Sequence, residues 1–261
     1  MKQEHKEIES KVWDNIVIGT GMGAAGVGYR LAQAGQSVLF LEKGPLRIDG
    51  IAVHQEFAES YLNDESSFET RKEVFRSLGR FWEPIHEMKG ILKDPRAQKL
   101  FPMLGSGLGG SSAIYGMVLE RFFPSDFENT HWPFRFSEIE PYYQEAEKIF
   151  EVHGEADPLK SPQSFPYANR GIRTPHPINE ILMEHLREKK LHPYLLPLAN
   201  KKVPDCMTCQ GFLCSKKCKK DAWNTLIQPA LKFAQTKLLA GAEVISLVAN
   251  SESVSSAIVQ V

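Results

Sequence analysis

Residues Asp14 to Gly44 read DNIVIGTGMGAAGVGYRLAQAGQSVLFLEKG. Asn15-Ile16-Val17-Ile18 is a short apolar run of β-type residues that stops at glycine, and it suits a parallel-sheet strand buried on both faces. Gly19-Thr20-Gly21-Met22-Gly23-Ala24 then fits G-x-G-x-x-G/A. A helix-compatible segment runs from Ala25 to Ala34, with Gly35 placed to stop it, and Ser37 to Glu42 reads as a second strand ending on an acid. Gly19 permits the tight strand-to-helix turn, Gly21 lets backbone approach a pyrophosphate, and small Ala24 lets the helix lie close on the sheet. The helix N-terminus offers unpaired N–H groups and partial positive charge to a phosphate. Glu42 follows Gly19 by 23 residues, near the ~20 expected of the acid that takes ribose hydroxyls. The order of these parts predicts an α/β, Rossmann-like dinucleotide domain with a βαβ start. The motif alone does not separate FAD from NAD, because both present an adenosine diphosphate.

Working outward, a second glycine run spans Gly105-Ser106-Gly107-Leu108-Gly109-Gly110-Ser111-Ser112-Ala113-Ile114-Tyr115-Gly116. It too matches G-x-G-x-x-G, but Lys99 to Leu104 is a poor buried strand with Pro102 inside it, so a second fingerprint is rejected. Nearly bare backbone can lie flat against a planar or anionic ligand, with Ser111 and Ser112 adding hydroxyl donors. Further on, Pro124 to Phe127 and His131-Trp132-Pro133 read as irregular surface turns. Ser137-Glu138-Ile139-Glu140 reads as a capping box opening a helix through Tyr142 and Tyr143 to Phe150, with its aromatic residues in a core.

The composition excludes several classes. The 261 residues carry 31 basic and 32 acidic side chains, a formal net charge of −1, so there is no field for sequence-independent nucleic-acid binding. No apolar run approaches the ~18–20 residues of a membrane-spanning helix, and residues 1–11, MKQEHKEIESK, lack the apolar centre of a signal peptide. A cytoplasmic protein without a transmembrane segment is expected.

All four cysteines fall between 206 and 218, as Cys206-x2-Cys209-x4-Cys214-x3-Cys218. So local a cluster is no framework for a whole secreted fold. It admits a structural loop with thiols or a local disulfide, an iron–sulfur centre, or zinc. Lys216, Lys217, Lys219 and Lys220 would favour thiolates, and would equally form a solvated face. The eight histidines are scattered, and none completes an H-E-x-x-H pattern.

The fingerprint Val17–Gly44, followed by GSGLGGSSAIYGMVLERFFPSDFE (105–128), Trp132-Pro133 and Pro141-Tyr142-Tyr143, resembles the glucose–methanol–choline (GMC) oxidoreductase family. These are FAD-dependent enzymes that oxidise alcohols, sugars and sterols. The resemblance implies that Gly19, Gly21, Gly23 and Ala24 cradle the FAD pyrophosphate and that Glu42 holds the adenosine ribose. It implies that Gly109, Gly110, Ser111, Ser112, Tyr115 and Gly116 lie along the flavin side, and that the backbone of Val244 meets adenine. Tyr115 stands where many members have asparagine, which resembles the cholesterol-oxidase-like branch. A cysteine-rich loop ending in a segment like Ala222–Leu226 occurs in that branch and in some sugar dehydrogenases, where it holds an iron–sulfur cluster in certain cases. On this reading Cys206, Cys209, Cys214 and Cys218 are candidate ligands.

The implied layout is a polar tail (1–11), an FAD-binding part (12–150), part of an α+β substrate-domain insertion with the cysteine loop (151–225), and an incomplete return to the FAD domain (226–261). The family's catalytic histidine lies late in a longer chain, so no catalytic residue is assigned. The expectation is the N-terminal portion of an FAD-dependent oxidoreductase acting on the CH–OH group of an alcohol, sugar or sterol, with an electron-acceptor protein as a further candidate partner. A non-catalytic nucleotide-binding or electron-transfer subunit, or an NAD-dependent dehydrogenase, are the alternatives.

Overall fold

The structure, a computed structural model, describes residues 2–44, 82–84, 103–105, 107–128, 132–159, 176–201, 203, 214 and 216–261. They fall into two compact units, one of residues 1–115, 211–215 and 221–261, the other of residues 116–210 and 216–220.

In the first unit the polar leading stretch forms helix α1 (Lys2–Ser10). Strand β1 (Asn15–Ile18), helix α2 (Met22–Gln33) and strand β2 (Val38–Glu42) make the expected βαβ unit, with β1 and β2 parallel and Asn15 opposite Val38. Helix α2 ends as its sequence demands. Gly35 takes φ +82°, its N–H reaches the Ala32 carbonyl, and the Gln36 N–H reaches the Leu31 carbonyl, which is a Schellman closure.

Two further short strands, β3 (Trp82–Pro84) and β4 (Met103–Gly105), pair antiparallel. A third parallel strand comes from far along the chain: β5 (Thr236–Ala240) pairs with β2, Val38 opposite Thr236, and the order is β1-β2-β5. Every residue of the central strand β2 is buried. Strand β1 departs from the expectation of burial on both faces, with Ile16 and Ile18 exposed by 40% and 53%. Ile16 and Ile18 are two residues apart and share one face of the strand, which the described residues leave open, while Asn15 and Val17 on the other face are half-buried.

The sheet then hands over to an antiparallel hairpin, β6 (Glu243–Ala249) and β7 (Val254–Gln260), rather than to more parallel sheet. Its turn is closed by the Asn250 side chain, whose Oδ1 accepts the N–H groups of Glu252 and Ser253. Ile8, Leu39, Leu41 and Ala242 form a small core, on which Trp13, Leu239, Val244, Ala257 and Val259 pack.

The second unit contains helices α3 (Pro124–Glu128), α4 (Phe136–Ile149) and α5 (Pro177–Glu188). Pro124 to Phe127, expected as an irregular turn, is a short helix, because proline is as well suited to a first helical turn as to a loop. Phe127 is buried there among Phe122, Trp132, Phe134 and Phe136. Helix α4 begins one residue before Ser137, and the acid that caps it is Glu138 rather than Glu140: its Oε2 accepts the Arg135 N–H at 2.8 Å. Tyr142 is 67% exposed rather than in the expected core, whereas Tyr143 packs against Phe136. The buried Arg121 donates to Glu147 at 2.7 Å, a two-pronged pair that ties α4 to the segment before α3.

Candidate functional site

The first glycine turn has the geometry its sequence predicts. Gly19 takes φ +89°, open to glycine and costly for other residues, and its N–H bonds to the Leu41 carbonyl at 2.7 Å. Gly21 is the N-cap of α2 with φ −64° and ψ 174°, angles any residue adopts. A Cβ built on Gly19, Gly21 or Gly23 would meet nothing within 4 Å. Neither backbone angle nor neighbouring atoms thus require glycine at 21, and the space a side chain would fill lies open beside the helix N-terminus. That is the cradle a pyrophosphate needs, and the residues present fit one.

The close helix–sheet approach assigned to Ala24 occurs one turn later. Ala24 is half-buried, while a Cβ on the buried Gly28 would run into the ring of Phe40, which is fully buried in β2. A small residue facing the second strand was the signal that marks Gly28.

Glu42 is buried at the end of β2 with both carboxylate oxygens engaged. Oε2 accepts the Thr20 N–H at 2.9 Å and the Thr20 hydroxyl at 2.6 Å; Oε1 accepts the Gly44 N–H at 2.9 Å. Thr20 is fully buried, and its hydroxyl oxygen in turn accepts the Gly109 N–H at 3.1 Å. Thr20 occupies a variable position of the motif, so no pattern pointed to it.

The second glycine run emerges from antiparallel β4 and closes into a 3-10 turn, Gly110–Ala113, which is why it is no second βαβ fingerprint. Gly107, Gly109 and Gly110 all have left-handed backbone, with φ +102°, +88° and +53°. A Cβ on Gly110 would lie 3.0 Å from the Gly21 Cα, so the two glycine turns are in van der Waals reach. A Cβ on Gly109 would lie 3.3 Å from the backbone nitrogen of Trp223.

Both serines hydrogen-bond to the chain's own backbone, Ser111 at the surface and Ser112 buried. The Ser111 hydroxyl accepts the Gly105 N–H at 2.9 Å. The buried Ser112 hydroxyl donates to the Gly109 carbonyl at 2.6 Å and accepts the Ala222 N–H at 2.9 Å, so its single proton is already placed. Ala222 leads into a π-helical turn, Trp223–Ile227, a form concentrated at functional sites. The Trp223 indole N–H is buried with no hydrogen-bond partner among the described residues. Trp223 also lines an open pocket of about 460 Å³ with Gln228 and Lys232, and none of the sequence-predicted residues lines it.

Tyr115 is half-buried and closes the first segment of this unit. Burial pushes its phenol well above the ordinary tyrosine range, and the negative charge of the buried Asp221 adds to the effect. Gly116 begins the second unit. Val244 lies in β6, half-buried against the small core.

Of the four cysteines, Cys206 and Cys209 lie outside the described residues, while Cys214 and Cys218 are buried. Among the described residues no group of three or more His, Cys, Asp or Glu is placed to hold a metal ion. Of the histidines, His54, His86 and His131 lie outside the described residues. His153 is buried, and His176 caps α5 by accepting the Ile178 N–H at 3.4 Å. Among the described residues no helix is long and apolar enough to cross a membrane.

No family model matches the chain. It is 24% identical over 269 residues to the gluconate 2-dehydrogenase flavoprotein of Pantoea cypripedii, matching 86% of this chain and 43% of that protein. It is 30% identical over 151 residues to 2-methyl-1,2-propanediol dehydrogenase of Mycolicibacterium austroafricanum, matching 54% of this chain and 25% of that protein. Among solved structures, pyridoxine 4-oxidase from Mesorbium loti superposes with a TM-score of 0.53 and 16% identity, over 95% of this chain and 46% of that one. The chain thus spans less than half the length of each of these proteins.

Proposed function

From the premise that these relatives are flavin-dependent oxidoreductases of the GMC type, we propose that this chain forms the FAD-holding front of an enzyme that oxidises a CH–OH group. The pyrophosphate rests on the turn from Gly19 to Ala24, in the space left by Gly21 and Gly23. The adenosine ribose reaches Glu42. A carboxylate has about four lone-pair sites, and three are taken by Thr20 and Gly44, so one on Oε1 is left for a hydroxyl. Adenine lies against the backbone of Val244. Gly109, Gly110, Ser111, Ser112, Tyr115 and Gly116 line the flavin side, Ser112 by holding the turn in shape. The single observation that carries this reading is the open cradle at Gly21 and Gly23, to which the fold itself assigns no side chain.

When bound, FAD supplies the hydride acceptor for a carbinol carbon. The residues of this chain hold and orient the cofactor. The substrate is an alcohol, sugar or sterol, the electrons pass to oxygen or an acceptor protein, and the enzyme works in the cytoplasm. An added iron–sulfur centre on Cys206, Cys209, Cys214 and Cys218 rests on the family resemblance, the spacing itself leaving a structural loop or zinc open, and iron and acid-labile sulfide assays on anaerobically purified protein test it.

The main test is a fluorescence titration of the purified chain with FAD, ADP and NADH. Saturable binding of FAD and ADP, with NADH far weaker, is expected. A protein that binds NADH and ignores FAD would overturn the reading.

A further inference from the structure

We propose that Thr20 is a positioning residue that sets the second glycine turn in register over the first, and thereby selects ligands that span both. This rests on the FAD reading above. The Thr20 hydroxyl has one proton and faces two acceptors, the Glu42 Oε2 at 2.6 Å and the Gly107 carbonyl at 3.5 Å. The short, charge-assisted contact takes the proton. The oxygen is then left as an acceptor, and the Gly109 N–H fills it at 3.1 Å.

The anchor matters because the backbone beside it is costly to hold. Gly109 and Gly110 are consecutive glycines with positive φ, and glycine backbone loses more conformational freedom on ordering than any other, so outside contacts must fix it. One end of the turn is held by Ser112 and Ala222. The other is held by Thr20. Gly110, next in the chain, is the residue that meets Gly21. A run of contacts therefore leads from Glu42 through Thr20 and Gly109 to Gly110, all in one compact unit. Removing the hydroxyl leaves the Thr20 N–H on Glu42, so the first turn keeps its own support.

The test is Thr20→Val, which keeps the shape and deletes the hydroxyl, beside Thr20→Ser, which keeps the hydroxyl. FAD and ADP are titrated separately, ADP reporting the adenosine and pyrophosphate contacts without the second glycine turn. In Thr20→Val, FAD binding is expected to weaken by about tenfold more than ADP binding, the scale set by a buried N–H that loses its acceptor. Thr20→Ser is expected to restore both. Equal losses for the two ligands, or unchanged FAD affinity, would overturn the proposal. If Thr20→Val does not fold, hydrogen exchange at the Gly109 amide of the unaltered, ligand-free protein decides: protection supports the anchor, and open-loop exchange rules it out. Failure of the FAD reading would show separately, as an unaltered protein that does not bind FAD while Gly109 is still protected.

Discussion

Gly110 stands directly over Gly21, close enough that a single methyl group at Gly110 would press on the Gly21 backbone. The two glycines differ in why they are glycine. At Gly110 both φ +53° and the 3.0 Å approach disfavour a side chain. At Gly21 nothing in the chain does. Gly110→Ala is therefore expected to destabilise the fold by about 1–2 kcal/mol, the left-handed penalty. Gly21→Ala is expected to leave stability within about 0.5 kcal/mol while weakening FAD binding at least about tenfold. Urea unfolding and FAD titration of the two variants separate these effects. A Gly21→Ala protein that binds FAD normally would empty the cradle of its meaning.

Glu42→Gln tests the buried carboxylate. All three groups that Glu42 meets are donors, so an amide NH2 must face at least one of them. A loss of about 1–3 kcal/mol in unfolding free energy is expected, the cost of a buried donor left without an acceptor. Denaturant titration measures it, and an unaltered midpoint would contradict the network.

Gly28→Ala probes the helix–sheet contact away from the cradle. The added methyl meets the Phe40 ring, which has no exposed face to yield into. Overpacking of about 1–3 kcal/mol is expected, with FAD affinity of the folded protein unchanged. Gly28→Ala combined with Phe40→Leu should recover part of the stability.

Two phenols should titrate late. Burial raises Tyr115, helped by Asp221, and burial raises Tyr194, helped by its hydrogen bond to Glu120. A group whose folded pKa lies above its unfolded value of ~10 contributes its full stability below that pH. The contribution is lost as pH climbs toward the folded value, because the unfolded chain ionises first. Stability should therefore fall more steeply above pH ~10 than in a Tyr115→Phe variant. Absorbance at the phenolate band checks the titration directly, and an identical alkaline limb in both proteins would refute it.

The βαβ start was legible because every part of it is local: the strand run, the glycines, the helix stop and the acid lie within a few turns of one another. Strand β5 was not. Thr236–Ala240 carries no mark of its partner, since pairing with Val38 is decided by the sheet and not by neighbours in sequence. The exposure of Ile16 and Ile18 is tertiary in the same way: apolarity says that a strand wants cover, and what packs on each face says whether it receives it. In the site, the glycines announced themselves by type, whereas Thr20 looks like any filler between two of them. Pro124 and Ser137 misled because turn and helix-start chemistry overlap, and the first residue with helical angles decides which acid does the capping.

The pairing of β2 with β5 has a bearing on how the molecule is made. Residues 38 and 236 must meet before the central strand has neighbours on both sides. Loop closure over such a span is slow compared with formation of the adjacent β1–α2–β2 unit. On the ribosome, the nucleotide turn is therefore synthesised early and completed late, after the Trp223 turn and β5 have emerged. Until then β2 lacks its β5 neighbour, and an apolar strand edge exposed in this way is prone to aggregate.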